Sequence, residues 1–303
     1  MSNSLSFINK KATFARANPI TPTHIDNQHT MTGKEPQHAR PIVRIADVKA
    51  ALERFSPLPL QEDYDNAGLQ VGLTTEEVSG VVLCLDVTEQ VVGYAARQGC
   101  NLIVSHHPLI FRPLRHIGDA TYVERCVMQA LRAGVTILSM HTNMDNAYRG
   151  VSYTMAEHLG LIDVDFLQSK GTTPEEGGSG VIGQLPEAMP AADFIGTLKT
   201  TFGCGCVMAN ELLQRPIRRV ALCGGSGAFL AQEAINQQAD AFVTGEMHYH
   251  DYFGLEQQLQ LCIIGHYESE QYAVQRLGEV VRQALPDVRL KPYPHTTNPV
   301  HYF

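Results

Sequence analysis

Three stretches of the sequence place histidine or carboxylate directly after a short apolar run. Cys100-Asn101-Leu102-Ile103-Val104 has the length and branching of a buried strand, and Ser105-His106-His107-Pro108 follows it. Pro108 opposes further regular pairing, so two adjacent imidazoles sit where a strand stops. Val135–Met140 reads as a second buried strand and runs into His141-Thr142-Asn143-Met144-Asp145. Leu261–Ile264 is a third, and it ends in Gly265-His266-Tyr267-Glu268-Ser269-Glu270. In a parallel α/β sheet the carboxyl ends of the strands are where ligands bind. Neutral imidazole and carboxylate are the usual ligands of divalent transition metals. His266 and Glu270, four apart on a first helical turn, share a face from which both can chelate. His106, His107, Asp145, His266 and Glu270 make five ligands, more than one four-coordinate zinc takes. They suit two ions about 3.5–4 Å apart, with a bridging carboxylate and open positions for water. The bland alternative is a set of unrelated polar strand ends, which three such ends together make hard to obtain by accident.

The elements that must position these residues follow from periodicity and punctuation. After Ile42-Val43-Arg44-Ile45, a helix is expected from about Asp47 to Phe55, with Val48, Leu52 and Phe55 on one stripe and Pro57 and Pro59 as its stop. Asp65-Asn66-Ala67-Gly68 is a turn signature leading into an apolar strand. Val81–Leu85 reads as a strand. Thr88 can cap a helix carrying Val91, Val92, Ala95 and Ala96, with Gly99 beyond its end. Tyr122 to Arg132 reads as a helix closed by Gly134, and Ser269–Leu285 as a long helix whose Ala273, Leu277, Val280 and Val281 face a core.

The second half of the chain repeats the first. Cys84 and Ser105 are 21 positions apart, as are Cys223 and Thr244, and each pair brackets strand, helix and strand. His141 and Asp145 are four apart, and so are His266 and Glu270. The offset between the halves, about 130 residues, is far too long for a solenoid repeat and implies a duplication. The expected fold class is therefore α/β: two related halves, three-layered with mixed sheets, facing one dinuclear metal cleft. Residues 168–180 concentrate Gly, Ser, Thr and Pro without apolar side chains, which reads as a linker. The expected division is 42–167 for the first half, bearing His106, His107 and Asp145, and 181–303 for the second, bearing His266 and Glu270.

Residues 1–41 hold two acids, Asp26 and Glu35, and no sustained apolar period. They read as a flexible N-terminal extension, with a targeting segment or a start at Met31 as alternatives. The remaining composition is that of a globular protein, 44% hydrophobic and 18% charged over 303 residues. A formal charge of -8 and the lack of a Lys/Arg cluster exclude the electrostatic footprint of a nucleic-acid binder. Seven cysteines form no Cys-x-x-Cys pair and mostly adjoin apolar runs, as packed reduced thiols of a cytoplasmic protein would. No apolar run approaches the roughly 20 residues of a membrane span, so no membrane partner is expected.

Asp65-Asn66-Ala67-Gly68-Leu69-Gln70, Ser105-His106-His107-Pro108, His141 to Asp145, Thr244-Gly245-Glu246 and Gly265 to Glu270 together resemble, in order from about residue 42 to the end, the motif series of the GTP cyclohydrolase I type 2 homologs, the Nif-three-like dinuclear metal proteins. The resemblance implies a two-domain α/β fold, a toroidal homohexamer built as a trimer of dimers, and two divalent ions per chain. It places the metal ligands on His106, His107, Asp145, His266 and Glu270, and gives Asp65, Asn66 and Glu246 a supporting or substrate-facing role. His248 and His250 follow a strand; either one of them donates a proton or holds a ligand carboxylate, or both are exposed loop residues. The reaction expected is attack by a metal-activated hydroxide, with Glu270 essential. If the family name describes the activity, the hydrolysis opens the guanine imidazole ring of GTP and releases formate. The sequence has no GxxxxGK[ST] loop and no basic cluster for a triphosphate, which keeps open a different small-molecule substrate: an amide, a cyclic amide or a phosphoester. Other readings are a non-catalytic metal-binding, metal-delivery or assembly protein, and a redox centre. Zinc, iron, manganese and cobalt all suit these ligands.

Overall fold

Helix α1 (Ile45–Phe55) starts two residues earlier than its apolar stripe suggests. Asp47 lies inside its first turn and accepts a hydrogen bond from the Arg44 backbone N–H (2.7 Å), closing the helix start from within. The computed structural model describes residues 42–303, so the expected extension at 1–41 and the alternative start at Met31 lie outside the described residues. After α1 come β1 (Gly68–Val71), β2 (Val81–Cys84), α2 (Glu89–Arg97), β3 (Leu102–Ser105), α3 (Tyr122–Ala133), β4 (Thr136–Ser139), α4 (Thr142–Asp145) and α5 (Val151–Leu159). Then follow β5 (Ile162–Ser169), β6 (Gly178–Met189), α6 (Ala191–Phe202), β7 (Met208–Ala209), β8 (Ile217–Cys223), α7 (Ala231–Asn236), β9 (Ala241–Thr244), β10 (Gln260–Ile263), α8 (His266–Glu270), α9 (Ala273–Ala284) and β11 (Leu290–Pro292). Local chemistry explains the boundaries of the early helices. Thr88 and Thr121 accept from the backbone N–H groups of Val91 (3.3 Å) and Glu124 (3.2 Å), and Gly134 closes α3 in the left-handed conformation.

The strands form two mixed sheets, in the orders β1-β4-β3-β2-β11 and β5-β6-β8-β9-β10-β7. The first sheet has four consecutive parallel strands, β4-β3-β2-β11, and the second has three, β8-β9-β10, each run carrying an antiparallel edge strand, β1 against β4 and β7 against β10. The duplication extends to register: Cys84 pairs with Ser105, and Cys223 with Thr244. Strands β2, β3, β4, β9 and β10 are buried at every position, as parallel strands covered on both faces must be. Helices α1 and α9 cover one face of the first sheet through Ile45, Val48, Leu52, Ala273, Leu277 and Val281. Helices α2 and α3 cover the other through Val91, Val92, Cys126 and Val127. On the second sheet α5 and α6 pack one face, with Tyr153, Met155, Phe194 and Phe202, and α7 packs the other beside Phe242. Both sheets are thus the middle of three layers, and each buried large side chain contributes about 1.5–3 kcal/mol.

Two expectations about organisation are corrected. Residues 168–180 are not an interdomain linker but the end of β5, the start of β6 and the hairpin turn between them, inside the second sheet. A hairpin turn and a linker demand the same small, polar residues. The chain reaches the second sheet earlier, at α5, which follows the first sheet's strands yet packs on the second sheet's core. Helix α9 does the reverse, and β11 then pairs with β2. The two halves therefore exchange their last helices, within one compact unit spanning Ile42–Phe303. The helix expected over Ser269–Leu285 is also two helices, α8 and α9, interrupted at Gln271 and Tyr272; α8 starts just after β10, following Gly265, whose φ of +101° an L side chain rarely adopts. His266 and Glu270 consequently share one short helix.

Candidate metal centre

The carboxyl ends of the parallel strands from both sheets converge on one cleft. His106 and His107 leave β3, and the buried Ser105 hydroxyl, 2.8 Å from that of Ser139, fixes the strand end from which they turn. His106 has no exposed surface. Its Nδ1 lies 2.8 Å from the Met140 carbonyl, an acceptor, so Nδ1 carries the proton and Nε2 presents a lone pair. The same arrangement recurs on three more rings. His107 Nδ1 donates to Asp86 Oδ1 (2.7 Å), His141 Nδ1 to Asp65 Oδ1 (2.7 Å), and His266 Nδ1 lies 3.0 Å from Glu246 Oε1. An imidazole held at Nδ1 by an oxygen is oriented and made more basic at Nε2, which is how metal-ligating histidines are supported.

Glu270 lies at the meeting point. Its Oε2 is 2.9 Å from His107 Nε2, 3.0 Å from His266 Nε2 and 3.9 Å from His106 Nε2. Asp145 Oδ1 faces His106 Nε2 at 3.6 Å, too long for a hydrogen bond, and both atoms are buried without any partner. Orphaned polar atoms of this kind cost about 1–3 kcal/mol each unless something pairs with them. Two ligands with lone pairs aimed at one point fit a cation there. Ligand atoms gather within 4.8 Å of one another in three groups: His106, Asp145 and Glu270; His107, His266 and Glu270; and His106, His107 and His141. The first two share Glu270.

The electrostatics of the cleft are strained in the direction a cation would relieve. Burial and the neighbouring Glu270 push the Asp145 carboxyl well above its usual range. Burial alone would raise Glu270 too, but the His107 and His266 rings beside it hold it well below. Burial lowers His106. It opposes charge on His107 and His266 as well, yet the carboxylates beside them raise these rings to about 10 and about 9. Asp65, against the pull of burial, is lowered to about 2 by His141 and Thr142.

A second repeat-related detail sets the second half's contribution. From the equivalent positions Ser139, which pairs with Ser105, and Ile263, which pairs with Thr244, two steps lead to His141 and three to His266, so the second half has one added residue before its histidine. Gly225, at the end of β8 with φ +60°, lets the chain pass Glu270 closely; a Cβ there would overlap the carboxylate.

His106, His107, Asp145, His266 and Glu270 are all brought together. Of the supporting candidates, Asp65 and Glu246 reach the cluster through His141 and His266, and Glu246 also accepts from the Ser226 hydroxyl (2.7 Å). Asn66 does not: its amide donates to the Ile110 carbonyl (2.6 Å) and braces the loop after the histidine pair. His248 and His250 lie on an exposed turn, where His250 packs between Tyr249 and Phe253 and neither lines the cleft. Sequence reasoning noted the spacing of His141 to Asp145 but did not place His141 among the ligands, and it passed over Asp86. Both follow parallel strands by one or two residues, the signal that found the others.

The cleft has a volume of about 450 Å³. Tyr64, Phe111 and Phe229, all exposed, stand at its wall, and Phe111 meets His141 edge-on. No Lys or Arg is among the described residues that line it. Among the described residues no helix is long and apolar enough to cross a membrane.

The family model of Duf34/NIF3 (NGG1p interacting factor 3) matches residues 43–299. A Lactococcus lactis protein named GTP cyclohydrolase 1 type 2 homolog is 34% identical over 211 residues, 69% of this chain and 79% of the relative. A Clostridium perfringens protein of the same name is 30% identical over 246 residues, 80% of this chain and 93% of the relative. The crystal structure of a Bacillus cereus protein related to NIF3 superposes with a TM-score of 0.80 at 22% identity, covering 87% of this chain and all (100%) of the other, a likeness of fold.

Proposed function

The chain belongs to the Duf34/NIF3 family, and from that premise we propose that it is a metal-dependent hydrolase working at a dinuclear centre in the cleft. The observation that carries the proposal is the pair of ligand groups sharing Glu270, with the orphaned His106 Nε2 and Asp145 Oδ1 on one side of it. In this reading His106 and Asp145 would hold one divalent ion and His107 and His266 the other, with Glu270 within reach of both. Ions held there would supply Lewis acidity and an activated water for hydrolysis. The chain's own part is orientation: Asp86, Glu246, Asp65 and the Met140 carbonyl each fix one imidazole. His141, held by Asp65 beside both ligand histidines, faces the cavity as a third ligand or as a hydrogen-bonding partner of substrate. Zinc, iron, manganese and cobalt all satisfy this donor set.

Ring opening of GTP is the reaction suggested by the relatives' name. The cleft favours a substrate without the triphosphate. Its lining supplies aromatic faces, imidazoles and carboxylates, including Glu62, but no Lys or Arg to offset phosphate charge. A cyclic amide is the better fit, its flat ring against Tyr64, Phe111 or Phe229 and its carbonyl toward the ions. A trimer-of-dimers hexamer belongs to the same proposal, and sedimentation of the full chain tests it.

The test of function is elemental analysis after metal repletion, paired with turnover of a panel of cyclic amides, nucleotides and phosphoesters. About two ions per chain and turnover that Glu270→Ala abolishes are expected. Trace metal, or full activity in that variant, overturns the proposal. Two retained ions with no turnover of any panel member assigns a metal-holding role instead.

A further inference from the structure

After β11 the chain does not stop at the first sheet but crosses the strand ends toward the second half. The Tyr293 N–H donates to the Leu83 carbonyl (2.8 Å) and its ring meets Tyr94 edge-on, which fixes where the crossing begins. Thr297 then donates its hydroxyl to Asp86 Oδ2 (2.6 Å). One residue later Asn298 donates its amide to Glu268 Oε1 (3.1 Å) on α8, while its own Oδ1 accepts from the Val300 N–H (3.0 Å). Tyr302 ends the crossing against Gly205 and Gly265, where an added Cβ would meet the tyrosine at 3.1 and 2.8 Å. The C-terminal segment is thus a strap tied to Asp86 in the first half and to α8, which carries His266 and Glu270, in the second.

Asp86 has two carboxylate oxygens and both are assigned. Oδ1 accepts from His107 Nδ1 and Oδ2 accepts from Thr297. The Asp86 side chain is 34% exposed, so water can take the place of the threonine hydroxyl. Loss of that hydroxyl therefore leaves no buried group unpaired and costs the fold little. What it removes is the second fixed point that sets the carboxylate plane, and with it the direction of His107 Nε2. We infer that Thr297 is a positioning residue, acting through Asp86 on the single ion held by His107. The inference rests on the dinuclear reading given above.

The test uses the full chain, metal-free, titrated with zinc against a chromophoric chelator. Thr297→Val keeps the shape and removes the hydroxyl, and Thr297→Ser keeps the hydroxyl. Wild type takes up two ions; Thr297→Val is expected to bind one of them about 10-fold more weakly and the other unchanged, near the low end of what a displaced supporting hydrogen bond costs a metal site. Thr297→Ser restores the affinity to within about twofold, and the thermal midpoint of the metal-free protein stays where it was. In an Asp86→Asn background, Thr297→Val adds nothing further. Equal weakening of both ions together with a lowered thermal midpoint would make Thr297 merely structural and overturn the inference. So would unchanged affinity in Thr297→Val, or a serine variant as weak as the valine. A wild type that takes up no zinc removes the dinuclear reading itself, and the inference with it.

Discussion

Replacing Asp65 by Asn tests the support of His141 through stability rather than catalysis. The Asp65 carboxylate is shielded from solvent and accepts from His141 Nδ1 and the Asn66 N–H through Oδ1, and from the Thr142 N–H and hydroxyl through Oδ2. Four donors on one carboxylate lower it from 3.8 to about 2 in the folded state. A group whose folded pKa is depressed contributes stability above its unfolded pKa, and that contribution is lost as pH falls toward the folded value. With some allowance for screening, the shift is worth about 2 kcal/mol at neutral pH. Roughly half of it is gone at pH 3 and most by pH 2. An asparagine has one acceptor oxygen and turns an amide N–H toward donors, so it cannot replace the set. In chelator-treated protein, urea unfolding of wild type and Asp65→Asn is expected to give a gap of about 2 kcal/mol from pH 5 to 7 that narrows steadily below pH 4. A gap that stays constant from pH 3 to 7, or one below about 0.5 kcal/mol at pH 7, would refute the reasoning.

Metal uptake at pH 7 should release protons, because His107 and His266 are raised to about 10 and about 9 in the metal-free protein and must become neutral to coordinate. Zinc titration calorimetry in two buffers of different ionisation heat measures the release, and heats that do not depend on buffer would contradict it. Apparent affinity should accordingly rise with pH through this range. Gly225→Ala places a methyl against the Glu270 carboxylate at a left-handed backbone position, so it is expected to lose about 1–2 kcal/mol of stability and to retain less metal on dialysis; wild-type retention would show that Glu270 has room to move. Phe242→Ala, at a fully buried position of β9, should cost about 3–5 kcal/mol in denaturant unfolding, and a cost under about 1 kcal/mol would mean the site collapses around the gap.

What was legible in the sequence follows from how specific each signal is. His106, His107, Asp145, His266 and Glu270 stand out because few residue types bind metals and these sit immediately after apolar strands. The 21-residue spacing was readable because strand pairing in the two sheets preserves it as register. Asp86 was not, since one aspartate after a strand looks the same as any turn residue until its partner His107 is known. The apolar stripes of α5 and α9 show that each helix has a buried face but not which sheet receives it. The small polar residues of 168–180 suit a hairpin turn and a linker equally, and only the pairing of β5 with β6 decides. Asn66, His248 and His250 carry functional side-chain types, but the Asn66 amide donates to the Ile110 carbonyl and the two histidines lie exposed, outside the cleft lining.

The exchange of last helices also governs what a single cut in the chain would do. Nicking the exposed β5–β6 turn near Thr172 leaves an N-terminal fragment that keeps α5 but lacks α9, the cover of its own sheet, and a C-terminal fragment in the converse position. Each piece would carry an apolar helix suited only to the other, so neither is complete alone and the two are obligate partners. His106, His107 and Asp145 travel with one piece, His266 and Glu270 with the other. Expressed apart and mixed, the fragments should reunite, and a cobalt spectrum that arises only on mixing would report the reunion. Duplication with exchange thereby makes the centre a seam between two complementary half-proteins rather than the property of either.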